Sequence, residues 1–260
     1  MFSRLILLLT AFLLLPAGAA TLTEAAQQRF SDGCAAYEAG KFTNARQLFA
    51  DILGQDKLVS ADLFYNLGCA EARLSNAGPA ALWFHRAVLL EPRHHEAWQN
   101  LRFLNRKEGA LVVADSGFDA FLRFAKTSHW QRGFLICSWL VAVSAAALVF
   151  LRPRVVWPFV VTLCLSVVLA GFLGTAWWVR THQVPPQEIA VVMSGNLSAL
   201  NAPAEGADSL ISLPPGSEVR ILQVRGQWSY VEVAGAKATR GWVRSEHLES
   251  LWPWSLAAVL

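Results

Sequence analysis

Two uninterrupted apolar stretches, Gly133–Leu151 and Val155–Val179, dominate the hydropathy of this 260-residue chain. They are 19 and 25 residues long and contain no Asp, Glu, Lys, Arg or His. About 20 apolar residues carry a helix across the hydrocarbon core, so each stretch predicts a transmembrane helix, over 133–151 and 155–179. Only Arg152-Pro153-Arg154 lies between them. That predicts a tight helical hairpin, with everything before it and everything after it on the same side of a bilayer. A shorter apolar run, Leu5–Leu15, follows Arg4 and ends at Pro16 and Ala17-Gly18-Ala19. A positive start, a short apolar core and a small-x-small end predict a secretory signal peptide over residues 1–20, with an uncleaved anchor as the alternative.

Between signal and hairpin, over 21–130, the apolar positions follow a long repeat. Gly33-Cys34-Ala35 recurs as Gly68-Cys69-Ala70, and Ala45 and Phe49 recur as Ala80 and Phe84, all at an offset of 35. Trp98 and Leu101 restart the pattern 34 residues after Phe64 and Leu67. A period near 34 built from helix pairs resembles tetratricopeptide repeats, with units at about 26–59 and 61–94 and a partial third at 95–127. The second unit is the clearest, with Phe64, Leu67, Gly68, Ala80, Phe84, Ala87 and Pro92 at the family's positions. The first departs at Arg29 and Asp32. The third has a good first helix, Glu96–Lys107, and a second helix that is degenerate or replaced by Phe118–Lys126.

Stacked helix pairs of this kind present a groove lined by the first helix of each pair. The resemblance implies partner binding there through Tyr37, Tyr65, Asn66, Arg73, Asn100, Phe103 and Arg106. An Asn amide can donate to and accept from an extended peptide at once, which singles out Asn66 and Asn100; the alternative is that both simply belong to the fold's Asn-Leu pattern or to a solvated face. The paired lysines with which some relatives clamp a C-terminal carboxylate are missing. Cys34 and Cys69 occupy equivalent places on neighbouring helices. Such helices lie ~8–10 Å apart, beyond the reach of a disulfide, so free thiols are expected.

After the hairpin the periodicity changes from helical to alternating: Glu218-Val219-Arg220-Ile221, then Tyr230-Val231-Glu232-Val233. Turn residues punctuate it at Pro214-Pro215-Gly216, Arg225-Gly226-Gln227 and Ala234-Gly235. Several short strands over 187–251 predict a small barrel. Gly226-Gln-Trp228, Gly241-Trp242-Val243 and Leu248 resemble bacterial SH3-like domains. Some members of that family bind cell-wall peptides, which makes Trp228 and Trp242 candidate ligand contacts. The alternative, favoured by the volume a small core must fill, is that both are core residues.

Composition fits a membrane protein, with 54% hydrophobic and 16% charged residues against about 25% charged in soluble domains. The net charge of +3 is scattered, without the basic patch of a nucleic-acid binder. Arg152 and Arg154 in the inner turn are matched by Arg123, Lys126, Arg132 and Arg180 at the outer ends, so the positive-inside rule does not select an orientation. The signal peptide does: both soluble parts are expected in the periplasm and the hairpin in the bacterial inner membrane. His94-His95-Glu96 lacks the second helical His of a zinc site, Gln99 standing in its place. No nucleophile elbow, phosphate loop or CxxC occurs. An enzyme, a metal and a cofactor are not expected.

The fold class is therefore a multidomain membrane protein: an all-α tetratricopeptide solenoid, two transmembrane helices and a small all-β SH3-like barrel. In this order the modules resemble the BatE-like proteins of bacterial aerotolerance operons. That resemblance implies a non-enzymatic periplasmic scaffold tied to oxygen or stress tolerance. Its implied partners are membrane-anchored von Willebrand factor A domain proteins and a MoxR-type ATPase system, beside membrane lipid itself. A cell-envelope module binding peptidoglycan is the alternative. A sensor role for the hairpin is disfavoured by its three-residue inner turn.

Overall fold

Local sequence signals set the helix ends. Ser60 caps a helix by accepting a hydrogen bond from Leu63 N at 3.1 Å, and Gly40 and Gly109 close two others with φ of +73° and +70°, the left-handed region that glycine enters without strain. The computed structural model describes residues 24–55, 57–112, 121, 122, 125, 127–150, 157–182, 187–195, 197–234 and 239–252. The signal segment 1–20, the turn Arg152–Arg154 and most of Phe118–Lys126 lie outside the described residues. Seven α-helices and seven strands occur among those described: α1 (Glu24–Glu38), α2 (Phe42–Gln55), α3 (Ala61–Arg73), α4 (Ala77–Leu90), α5 (His95–Glu108), α6 (Thr127–Phe150), α7 (Trp157–His182), β1 (Ile189–Val192), β2 (Leu197–Leu200), β3 (Ser209–Leu213), β4 (Glu218–Arg225), β5 (Trp228–Val233), β6 (Thr239–Arg244) and β7 (Leu248–Ser250).

Helices α1 to α5 pack each against the next, and α1 also touches α3. The two hairpins repeat one contact. A Cβ on Gly33 would meet the Phe49 ring at 2.6 Å, and one on Gly68 would meet Phe84 at 2.7 Å. Ala45 and Ala80 are fully buried at the crossings. The helix predicted from Glu96 starts at His95, where His94 Nδ1 accepts from Ala97 N at 3.3 Å. His94-His95-Glu96 thus opens a helix, and no metal-binding group occurs among the described residues.

Helices α6 and α7 have a mean hydropathy of 2.3 with only 11% of each apolar window buried. Core helices of soluble proteins bury most of their surface; these two are long and apolar enough to cross a membrane. They pack together as a hairpin. Phe134 stacks on Trp177 at 5.8 Å between ring centroids, and the absent side chains of Gly133 and Gly174 make room for Leu173 and Phe134.

The strands form one antiparallel sheet of order β3-β2-β6-β5-β4-β1-β7. This corrects the expected barrel. Closure needs the outermost strands to pair, and β3 and β7 remain at opposite edges. The physical reason lies in β7, only three residues long: the chain then leaves the sheet, and Leu251 and Trp252 enter the core of the helical array. One face of the sheet carries its own core, with Val219, Val231, Val233 and Val243 at its centre. The middle strand pairs fix the parity of the other face: Trp228 opposes Arg244, Tyr230 opposes Trp242, and Glu232 opposes Arg240.

The array and the sheet share a joint. Val191 of β1 belongs to the helical core, while its neighbours Ala190 and Val192 belong to the core of the sheet. Trp252, 1% exposed, meets Phe64 edge-on at 6.1 Å. Gly78 on α4 approaches so closely that a Cβ there would stand 2.3 Å from Met193 O. Almost every side of α4 is buried, because α3 and α5 cover one face and the sheet covers the other.

Candidate functional site

The face made by α1, α3 and α5 carries most of the residues the repeat pattern nominates. Tyr37 and Arg73 meet across α1 and α3, with Arg73 Nε donating to Tyr37 Oη at 3.2 Å. The guanidinium also sits 5.8 Å from the Phe42 ring centroid, so the pair is braced by a cation–π contact. Tyr65 and Asn100 converge on Cys69, whose Sγ accepts from Asn100 Nδ2 at 3.7 Å. Burial, then the neighbouring Cys69, pushes the Tyr65 phenol up to about 12. Burial also raises the Cys69 thiol against the opposing hydrogen bonds from Tyr65 and Asn100, and it raises Cys34 with help from Glu38. Both cysteines are free, and thiols held protonated in this way are poor nucleophiles.

Beside this network lies a surface cavity of about 550 Å³. Phe30 and Tyr65 supply aromatic walls, Asn66 and Asp62 come from α3, and Glu91, Arg93, His94 and Glu96 come from the α4–α5 turn and the start of α5. His94 is 9% exposed. Its ring lies 4.8 Å from that of Tyr65, and its Nε2 stands 3.7 Å from Asp62 Oδ1.

Not every nominated residue joins this arrangement. Asn66 lines the cavity but gives its amide hydrogen to Asp62 O on its own helix at 2.8 Å. Arg106 likewise turns back to Arg102 O at 3.3 Å. Phe103 is 61% exposed and stands apart from the cavity lining. His94, Glu91 and Arg93 were not nominated, although the turn Glu91-Pro92-Arg93-His94 had marked the end of the second unit.

Trp228 and Trp242 depart from the favoured expectation that they are core residues. Both are half-buried on the face opposite Val231, Val233 and Val243. Alternation forces this: along each strand they share parity with Tyr230, Glu232, Arg240 and Arg244. Arg244 lies 5.6 Å from the Trp228 ring centroid, Arg225 lies 5.7 Å from that of Trp242, and Tyr230 packs on Trp242 at 5.0 Å. Arg244 is further held by Glu205 and Glu246.

The joint holds a buried cation, with Arg86 only 3% exposed. Arg86 Nε donates to Leu251 O at 3.0 Å and Nη2 to Ser250 O at 2.8 Å, with Glu249 Oε1 at 3.4 Å. The guanidinium lies 4.6 Å from the Trp83 ring centroid. Burial lowers its pKa to about 10, against the supporting charge of Glu249. Next to it, His85 Nε2 is 3.1 Å from Glu218 Oε1.

No protein-family model matches the chain, and no curated protein matches it in sequence. What the site can do therefore rests on its geometry. Among the described residues, that geometry is an aromatic, hydrogen-bonding face of three helices with a surface cavity beside it.

Proposed function

We propose that this chain is a non-enzymatic membrane scaffold whose helical array is of the tetratricopeptide type and binds partner proteins on the α1–α3–α5 face. The observation that carries this is the duplicated contact of Gly33 on Phe49 and Gly68 on Phe84, at the 35-residue spacing of the sequence, with the cavity at Tyr65 opening on that face. Repeated helix pairs that bury glycine against an aromatic ring stack into solenoids, and solenoids serve mainly as binding surfaces. The SH3-like resemblance of residues 187–251 rests on Gly226-Gln-Trp228 and Gly241-Trp242-Val243, with an open sheet in place of the barrel. By the same resemblance the scaffold faces the periplasm from the inner membrane in a Bat-type assembly, with membrane-anchored von Willebrand factor A domain proteins and a MoxR-type ATPase system as partners.

The test is photo-crosslinking in cells from position 65, with exposed Val224 on the sheet as the control position. An adduct with a von Willebrand factor A domain protein from position 65, weakened by Asn66→Ala with Asn100→Ala, supports the proposal. Adducts from position 224 with none from position 65 refute it.

The outward placement of Trp228 and Trp242 favours a second reading, a cell-envelope module that holds peptidoglycan on the solvent face of the sheet. Aromatic faces flanked by arginines suit a glycopeptide carrying carboxylates. The full chain in detergent should then sediment with purified sacculi, and Trp242→Ala should release it. Equal sedimentation of both proteins removes this reading.

A further inference from the structure

Two linkers of unequal length lead to the membrane hairpin. Eighteen residues, 109–126, separate α5 from α6, whereas six, 183–188, separate α7 from β1. Six residues span at most ~20 Å when fully extended. The sheet is therefore held close to the end of α7, and the array has the longer covalent link. Yet the array's exit is stitched to the sheet. Leu111 N donates to Ser217 Oγ at 3.0 Å and Glu218 N donates to Leu111 O at 2.8 Å. Three residues further along β4, Ile221 N donates to Glu188 O at 2.7 Å. One short stretch of one strand thus holds both linkers, about 10 Å apart at the strand rise of 3.3 Å per residue.

We infer that the sheet is an anchoring module: it captures the helical array through the joint at Arg86, Gly78 and Trp252 and fixes the array against the membrane independently of the array's own linker. The partner of this sheet surface is the array of the same chain. Trp252 fills the array's core as an inserted side chain, and Arg86 reads two successive backbone carbonyls, Ser250 and Leu251, as a fixed fork. Because both parts belong to one polypeptide on one side of the bilayer, their effective concentration is in the millimolar range, and a joint of modest intrinsic affinity stays closed. The inference rests on the two-span reading of α6 and α7 and is independent of what the α1–α3–α5 face binds.

The experiment uses the full chain in isolated membranes, with residues 1–20 replaced by a leader that is removed and a protease site inserted between Asp115 and Ser116. After cutting, the array fragment has no span of its own. The unaltered joint should keep it in the membrane pellet, and Arg86→Ala or Trp252→Ala should shift most of it, at least fivefold more than the unaltered chain, to the supernatant. Gly78→Ala guards against simple misfolding. Alanine is the better helix former, so α4 is strengthened while the joint is blocked by Met193 O, and a released fragment that still melts cooperatively shows that only docking was lost. Release of the array from the unaltered chain overturns the proposal, as does equal retention in all three variants. Release of both fragments, array and sheet with hairpin, would instead overturn the two-span reading.

Discussion

Gly68 of α3 lies under the ring of Phe84 on α4 so closely that a single added methyl would come within 2.7 Å of it. Phe84 is 1% exposed and packs among Leu67, Ala80 and Ala87, so it has little room to withdraw. Gly68→Ala should therefore destabilise the array by about 1–3 kcal/mol through overpacking, and Gly33→Ala should do the same through Phe49. Gly54 in α2 has nothing within 4 Å of its missing Cβ; there the same change should stabilise by about 0.5–1 kcal/mol through backbone entropy. Thermal melts of the three variants in one detergent check the opposite signs. A uniform effect would mean that the glycines are there for helix flexibility and not for close approach.

The Tyr65 phenol gives the array a signature at high pH. Its pKa rises from 10 to about 12, chiefly through burial, so the folded protein holds this proton over a range in which the unfolded chain loses it. The stability linked to this group is fully present below pH 10 and is lost as pH rises from 10 towards 12. Of the three tyrosines in the chain, one should ionise late in an absorbance titration near 295 nm. Tyr65→Phe should remove that late step and flatten the fall in melting temperature above pH 10. Persistence of the late step in that variant would show that Tyr65 does not carry it.

The side of the sheet occupied by the two tryptophans predicts a modest energetic role. Trp228 and Trp242 each make a cation–π contact with an arginine, worth about 0.5–1 kcal/mol at exposed sites, and both keep part of their surface in water. Trp228→Ala should cost well under the ~3–5 kcal/mol expected for truncating a core aromatic such as Phe84. Denaturant titration of Trp228→Ala beside Phe84→Ala measures the difference, and equal losses would place Trp228 in a core.

Local signals made much of this architecture legible. The 35-residue offset names the glycine–phenylalanine pairs because a helix hairpin is a short-range object, and the two apolar stretches name α6 and α7 by length alone. Glu218–Ile221 and Tyr230–Val233 alternate and become β4 and β5. The outward placement of the tryptophans was also readable: in Trp228-Ser-Tyr-Val-Glu-Val233 the indole shares parity with Tyr230 and Glu232, and the valines take the other face. Treating tryptophan as core material by volume overrode that parity. The joint was not readable in the same way. Arg86 and Leu251 are 165 residues apart, and no periodicity links them. Its one local trace is α4 itself, Ala77–Leu90, apolar nearly all round, which marks a helix covered on every side. The open sheet escaped for a related reason: whether β3 and β7 pair depends on where the chain goes after Ser250, and it goes to the helices. At the candidate site, Tyr37, Tyr65, Arg73 and Asn100 follow from repeat register, whereas the inward His94 depends on a capping bond that register alone does not specify.

The joint also constrains topology. Trp252 can sit against Phe64, and Arg86 can reach Leu251, only if array and sheet occupy one compartment. A hairpin of two crossings satisfies this and a single crossing does not. Phosphatase and fluorescent-protein fusions at residue 21 and after Leu260 should therefore report the same side at both ends, outside the cytoplasm if the leader directs export. Deleting α7, Trp157–His182, should strand the sheet across the membrane from the array. The array would then expose the socket that Trp252 fills beside Phe64, and should become protease-sensitive although none of its own residues has changed. Opposite reporter signals at the two ends of the intact chain, or an array in the α7 deletion as resistant as the original, would show that the sheet and array do not meet across the hairpin.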